Sequence, residues 1–417
     1  MPLFLILRLV FNIILFFLVE WYFFQAIKTV FGHKPIVAQI YWSISILLVV
    51  ISTFTLVTYP RYVIVSDAFS KYLLSIIFGI VLAKLLGCII LFMEDITRGM
   101  VFVVDGVRGL FNYSPTSYDS SRAKFVSTTA LGIAGIPFFT ALYGMIKTAF
   151  DYKIHNVRVY LPNLPDAFDG LKIVQISDIH SGSFVSKEPI TKVVTLINNL
   201  QPDILFFTGD LVNNIHQEAL PFIDTWKQLN TPALGIFSIV GNHDYGDYVP
   251  WDTPEEKEAN FTSLQAIHGK MGWKILMNEG ILLEKNGAKI GLLGVENWGE
   301  KLRFPKKGDI TKAISCLKEE VPVKLLLSHD PSHWKAKVLE HADIDITFSG
   351  HTHGAQCGIE IPGWRWSPIQ YFYDQWAGLY QQGNQYLYVN RGLGFLGYLG
   401  RIGIQPEITC MVLSNKK

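Results

Sequence analysis

Four long apolar runs, residues 3–19, 36–58, 72–93 and 126–147, occupy most of the first 150 positions. Each is long enough, or nearly so, to cross about 30 Å of hydrocarbon at about 20 residues per span. They predict four transmembrane helices and a multi-pass integral membrane protein. The first run is preceded by no basic stretch and followed by no small-residue cleavage site, which sets it apart from a signal peptide. Arg8 interrupts that run and Glu20 closes it; both read as charges that snorkel near a helix end rather than as an ion path. Gly79, Gly87, Gly132 and Pro137 read as helix interruptions with no ionisable partner, which argues against a transporter. Residues 100–105 form a short apolar stretch, either an interfacial helix or a re-entrant span that would reverse the topology. Basic residues divide almost evenly, with Arg61, Lys71, Lys147, Lys153 and Arg158 against Lys28, Lys34, Arg98, Arg108, Arg122 and Lys124. The side of the membrane that the rest of the chain faces therefore stays open.

Composition agrees with a chain partly in lipid: half of the 417 residues are hydrophobic and 17% are charged, too few to wet the surface of a wholly soluble protein. The length suggests two or more domains, and the change of character falls at residues 150 and 151. We therefore expect a transmembrane helical region over 1–150 and a soluble domain over 151–417. The net charge of +1 gives no electrostatic footprint for nucleic acid. Cys88, Cys316, Cys357 and Cys410 are scattered, with neither a disulfide framework nor a metal-ligand spacing among them. Cys357 is expected to be inert.

After residue 150, short β-branched runs end in Gly, Asp, Asn or His. Residues 171–177, 204–208, 235–240, 290–295, 324–328 and 344–349 read as buried strands, with amphipathic helices over 187–200, 220–229, 254–268 and 309–318. That alternation implies crossover units and at least partly parallel pairing. Five polar clusters follow strands: Asp178-Ile179-His180, Gly209-Asp210, Gly241-Asn242-His243-Asp244, Ser328-His329 and Gly350-His351-Thr352-His353. Loops at strand carboxyl ends converge on one edge of a sheet. Carboxylates, an amide oxygen and imidazoles without thiolate suit divalent ions such as Mn, Fe or Zn. The glycines before Asp210, Asn242 and His351 permit close backbone approach.

These blocks, in this order, resemble the signature of the calcineurin-like metallophosphoesterase family over residues 171–354. The resemblance implies a four-layer α/β/β/α sandwich and two divalent metal ions. It implies that Asp178, His180, Asp210 and His353 hold one ion and that Asp210, Asn242, His329 and His351 hold the other, with Asp210 as the bridge. It also implies that His243 stands beside the scissile phosphate, with Asp244 orienting it. A membrane-associated subgroup is similar through Leu164-Pro165, Asp169-Gly170, Asn390-Arg391-Gly392-Leu393-Gly394, Arg401 and Pro406-Glu407; its usual Gly-Gly-Gln is Gly354-Ala355-Gln356 here.

The expected activity is hydrolysis of a phosphate ester, a phosphodiester or pyrophosphate, with an amphiphilic substrate favoured because anchoring raises the effective concentration of a lipid-linked one. The alternative is a membrane sensor or scaffold that binds a phosphorylated ligand without hydrolysing it. Loops over 245–258 and 358–382 are expected to set selectivity. Trp364-Arg365-Trp366, with Tyr371 and Phe372, is a candidate lid or interfacial anchor, packing being the alternative. His216, His268, His333 and His341 match no block and are expected on the surface or in the core. Oligomeric state is not legible.

Overall fold

A computed structural model describes residues 3–58, 68–110, 120–301 and 304–416. Arg61 and the side chain of Arg8, used above, lie outside the described residues. The chain divides into two compact units, Met1–Tyr143 and Gly144–Lys417.

The first unit is helical. Helices α1 (Leu3–Phe31), α2 (Pro35–Thr58), α3 (Ala68–Gly109) and α4 (Ser120–Ile146) follow the four apolar runs. They supply four segments long and apolar enough to cross a membrane: Val10–Phe31, Pro35–Thr53, Lys71–Gly109 and Ser121–Phe150. Three expectations change here. Helix α3 passes without a break through residues 100–105, so that stretch is neither a separate interfacial helix nor a re-entrant loop. Its 42 residues span about 63 Å at 1.5 Å per residue, roughly twice the hydrocarbon thickness. Nor do Gly79, Gly87, Gly132 and Pro137 break their helices. Gly87 is a packing position instead, where a Cβ would collide with the Phe23 ring and approach Ala134.

Glu20 is the third correction. It lies in the middle of α1 and is buried, with both carboxylate oxygens 2.7 Å from Lys84 Nζ. Ser45 on α2 donates a short hydrogen bond to the same carboxylate. A charge that can reach a partner on a neighbouring helix need not snorkel, because pairing relieves much of the penalty of burial in lipid. The helical unit therefore does contain a paired intramembrane charge.

The second unit is built on two six-stranded mixed sheets. Strands β1 (Lys153–Tyr160), β2 (Lys172–Ile176), β3 (Ile204–Phe207), β4 (Ile236–Ser238) and β5 (Lys274–Ile275) belong to one sheet. Strands β6 (Glu279–Lys285), β7 (Ala288–Gly294), β8 (Lys324–Leu327) and β9 (Ile346–Ser349) belong to the other. A small hairpin of β10 (Ile359–Ile361) and β11 (Trp364–Trp366) follows, then β12 (Gly378–Gln382), β13 (Gln385–Val389) and β14 (Glu407–Ser414). The spatial orders are β1-β14-β2-β3-β4-β5 and β12-β13-β9-β8-β7-β6. Strands β2 to β5 pair in parallel, as do β7, β8, β9 and β13. The last strand, β14, lies between β1 and β2, parallel to the first and antiparallel to the second.

The inner faces of the sheets share one core. Ile173, Phe206 and Phe237 from one sheet pack with Leu292, Leu325, Leu327 and Phe348 from the other, and the Phe206 and Phe348 rings meet edge-on at 5.1 Å. Each such side chain stabilises by about 1.5–3 kcal/mol when fully buried. Helices α5 (Glu188–Leu200), α6 (Ile223–Trp226), α7 (Pro254–Lys270), α8 (Ile310–Ser315) and α9 (Ser332–Ala336) complete the unit. Ile310, Ala313 and Trp334 of α8 and α9 pack on the outer face of the second sheet through Leu293, Leu326 and Leu387. The result is the α/β/β/α layering that the motif resemblance implies. The helix expected over 220–229 is shorter because Pro221 sits in a 3-10 segment, His216–Phe222, leaving only one α turn after it. The helix expected over 309–318 shortens to Ile310–Ser315.

Candidate metal centre

All five polar blocks leave strand ends, of β2, β3, β4, β8 and β9, and backbone bonds tie their loops together. Asp178 N–H donates to Gly209 O at 2.9 Å, His180 N–H to Asp210 O at 3.1 Å and Gly350 N–H to His329 O at 2.9 Å. Close approach is what the glycines permit: a Cβ on Gly241 would strike the Asp210 carboxylate, and one on Gly209 would lie 2.6 Å from Gly241 N.

Two sets of donors result, Asp178 with His180 and His353, and Asp210 with His329 and His351; within each, one ligand atom per residue lies within 4.8 Å of the others. In the first, His180 Nε2 and His353 Nε2 are 3.0 Å apart, and His353 Nε2 is 3.3 Å from Asp178 Oδ1. In the second, His329 Nε2 is 3.2 Å from Asp210 Oδ2 and 3.3 Å from His351 Nδ1. Asn242 Oδ1 joins this set, 2.9 Å from His351 Nδ1. Asp210 Oδ2 is also 3.6 Å from His180 Nε2, so one oxygen faces both sets.

The backbone bears a signature of its own. Asp178, His180, Asp210, His351 and His353 all hold positive φ, between 48° and 74°. Non-glycine residues in that region cost about 1–3 kcal/mol each and persist where surrounding structure over-determines them. Strain concentrated on the donor residues, with ring nitrogens aimed at one another, fits a site built to hold cations. Burial and mutual attraction also shift the charges of the centre. Burial pushes the Asp178 carboxyl up to about 7 and drives the His180 imidazole down to about 3. Burial opposes charge on His329 too, but attraction to Asp210 wins and raises it to about 10. Oxygen and imidazole donors without thiolate are the set expected for Mn, Fe or Zn.

Neighbouring groups orient the rings. His329 Nδ1–H donates to Thr208 O at 2.7 Å, leaving Nε2 to face Asp210. His351 Nε2 lies 2.9 Å from the Tyr373 hydroxyl and 3.5 Å from Asp330 Oδ2. Such outer partners fix the tautomer and basicity of a metal-binding histidine. Neither was singled out in the sequence. Asp330 directly follows His329 and could have been noticed, whereas Tyr373 is placed by a loop with no pattern.

His243 is half-buried beside the centre, its ring 5.0 Å from that of His180 and 4.4 Å from that of Tyr248. Its Nδ1 is 2.7 Å from Asn213 O, and its N–H donates to Asp210 Oδ1 at 2.9 Å. The expected role of Asp244 is not what the geometry shows. Both its oxygens accept backbone amides, from Gly241, Asp210, Leu211 and Val212 at 2.8–3.3 Å. It holds the loop that carries Asp210, and the Asn213 carbonyl orients the His243 ring instead.

The flanking residues form a brace. Arg391 binds Glu407 and Glu360 at 2.6 Å each. Leu393 and Gly394 amides donate to Ser177 O and Asp178 O at 2.9 and 2.8 Å. Fully buried Arg401 donates to the carbonyls of Arg391, Gly392 and Gly394, and its Nη2 lies 3.3 Å from His353 Nδ1. Outside the centre, His268 and His333 are buried and paired with Ser238 and Ser328.

A two-sheet α/β/β/α sandwich carrying aspartate, asparagine and histidine at these strand ends defines a metallophosphoesterase. Residues 171–355 match the family described as "Calcineurin-like phosphoesterase", and residues 4–149 match "Probable Calcineurin-like phosphoesterase, transmembrane domain". The chain is similar to the transmembrane protein with metallophosphoesterase domain of Danio rerio, 30% identical over 66% of this chain and 60% of the relative. The metallophosphoesterase YkuE of Bacillus subtilis is 32% identical over 63% of this chain and 84% of its own length. The UDP-2,3-diacylglucosamine pyrophosphatase LpxG of Chlamydia muridarum is 26% identical, over 69% and 96%. The chain belongs to the calcineurin-like metallophosphoesterase family, and it is an integral membrane protein with four candidate spans among the described residues.

Proposed function

We propose that the chain hydrolyses a phosphodiester or pyrophosphate carried on an amphiphilic, lipid-linked substrate, at a centre of two divalent cations. In this reading residues 1–150 form the membrane domain and 151–417 the catalytic domain. The observation that carries it is the single Asp210 oxygen facing both donor sets, at 3.2 Å from His329 and 3.6 Å from His180. Asp178, His180, Asp210 and His353 would hold one cation, and Asp210, Asn242, His329 and His351 the other. Bound there, Mn, Fe or Zn would supply Lewis-acid stabilisation of phosphoryl oxygens and activation of water.

The rest is done by the protein. His243 keeps Nδ1 on the Asn213 carbonyl, so Nε2 is left to deliver a proton to the leaving oxygen, the usual work of a general acid. Asp244 fixes the loop of Asp210 against the pull of the substrate. The lipid-linked reading is supported by the membrane spans and by the name of the Chlamydia relative, which specifies a diacylated pyrophosphate. The test is turnover of the full chain in nanodiscs with Mn, against monoesters, diesters and lipid-linked pyrophosphates. Hydrolysis of the lipid-linked compounds, abolished by chelation, is expected; turnover that survives complete chelation would defeat the metal centre, and preference for soluble monoesters would defeat the substrate class.

A further inference from the structure

The hairpin of β10 and β11 is amphipathic the wrong way round for a strand pair in water. Its register pairs Ile359 with Trp366, Glu360 with Arg365 and Ile361 with Trp364. Directly paired residues share a face and successive residues alternate, so one face carries two isoleucines and two tryptophans while the other carries both charges. The charged face is turned inward. Glu360 binds Arg391 at 2.6 Å, and the Arg365 guanidinium lies over the Trp376 and Tyr380 rings at 5.3 and 5.5 Å. The apolar face is left outward, with Ile361 54% and Trp364 52% exposed. Tyr371 and Phe372, 73% and 70% exposed, extend it, and Trp366 Nε1 reaches the Tyr371 hydroxyl at 3.4 Å.

A soluble surface normally places charge outward and scatters its large apolar groups. This one concentrates Trp, Tyr, Phe and Ile, the mixture that settles where hydrocarbon meets headgroups. We propose that this face seats in the headgroup layer of a lipid bilayer. A bilayer is the occupant because the chain is anchored in one by its own spans, so a lipid surface is always present at high effective concentration. Glu360 and Arg365 are the only charged residues between positions 358 and 373, and both face the domain. The contact is therefore apolar and does not depend on anionic lipid or on salt.

The consequence reaches the metal centre. The chain runs from His353 through the hairpin and on to Tyr373, whose hydroxyl touches His351. One segment thus carries both the lipid-seeking face and an outer partner of the centre. This proposal does not require the substrate assigned above, and its test uses none.

The test is the full chain in phosphatidylcholine nanodiscs, with exposed Cys316 replaced by Ser and an environment-sensitive fluorophore on Ile361→Cys. A second sample carries the label on Lys227→Cys, an exposed position of the same unit. The label at position 361 is expected to be quenched by phosphatidylcholine spin-labelled near its headgroup and shielded from iodide, at low and high salt alike. The label at 227 is expected to show the reverse. Iodide quenching at 361 equal to that at 227 overturns the proposal. Shielding from both quenchers at 361 also overturns it, by showing that protein rather than lipid covers the face.

Discussion

In the helical unit the Glu20 carboxylate meets the Lys84 ammonium at 2.7 Å, with Ser45 completing the pair. In the α/β unit, Asp178 and Asp210 face four imidazoles, and no lysine or arginine ion pair closes on either carboxylate among the described residues. The first cluster is neutral by itself and sits on a relaxed helical backbone. The second sits on five strained residues and pushes Asp178 up to about 7 by burial. The contrast separates two uses of buried charge. A self-balanced pair fixes how helices pack, whereas a strained set of converging donors suits something that arrives with charge of its own.

The largest expected effect falls beside the strained set, at His243. His243→Ala should retain metal and lower turnover by about 10²–10⁴, the usual contribution of a general acid. A substrate with a very good leaving group should lose much less, and equal losses would make His243 a positioning group. The self-balanced pair should behave in the opposite way. Glu20→Ala leaves Lys84 buried without its partner and should destabilise the full chain by about 3–5 kcal/mol, while Glu20→Leu with Lys84→Leu should recover most of it; thermal unfolding in nanodiscs reads both, and metal content should not change in either. A functional ion path would instead be lost in the double variant along with activity.

The α/β unit also holds a buried ion pair, Arg391 with Glu407. Burial works against charge on Glu407, but Arg391 outweighs it and holds the carboxyl down to about 2 from 4.5. A depressed carboxyl contributes stability above its unfolded pKa and loses it as pH falls through the folded one, here between about 4.5 and 2. The stability gap between the chain and its Glu407→Gln variant should be about 3 kcal/mol near neutrality and shrink across that window in urea titrations. A gap independent of pH would mean that shape, not charge, matters there. Smallest is Asp244→Ala, which removes the carboxylate clamping the Asp210 loop and should weaken metal binding by about 10–100-fold, as outer partners do. Full metal affinity with lost turnover would return Asp244 to the ring-orienting role.

The sequence disclosed the parts that are local. Six strands and the five polar blocks lie in contiguous residues, where β-branched runs stop at Gly, Asp or His. What escaped is non-local or depends on rotation within a turn. Strand β14 pairs with β1 some 250 residues away, and Glu20 meets Lys84 across 64 positions, separations that no spacing rule covers. Asp244 follows His243 directly, yet the two lie in a 3-10 turn, where successive side chains point about 120° apart. Adjacency therefore sent them to different partners. Ala355, which stands where the motif resemblance has glycine, adopts φ of 53°, a left-handed conformation that costs a residue with a Cβ more than it costs glycine.

The most direct measurement is metal stoichiometry of the purified full chain and of Asp210→Ala. Two ions per chain are predicted for the first. In the variant, loss of the oxygen that faces both donor sets should reduce occupancy at both and lower turnover by more than about 100-fold, beyond the 10–100-fold typical of outer partners. Two ions retained in Asp210→Ala with turnover intact would contradict the shared centre.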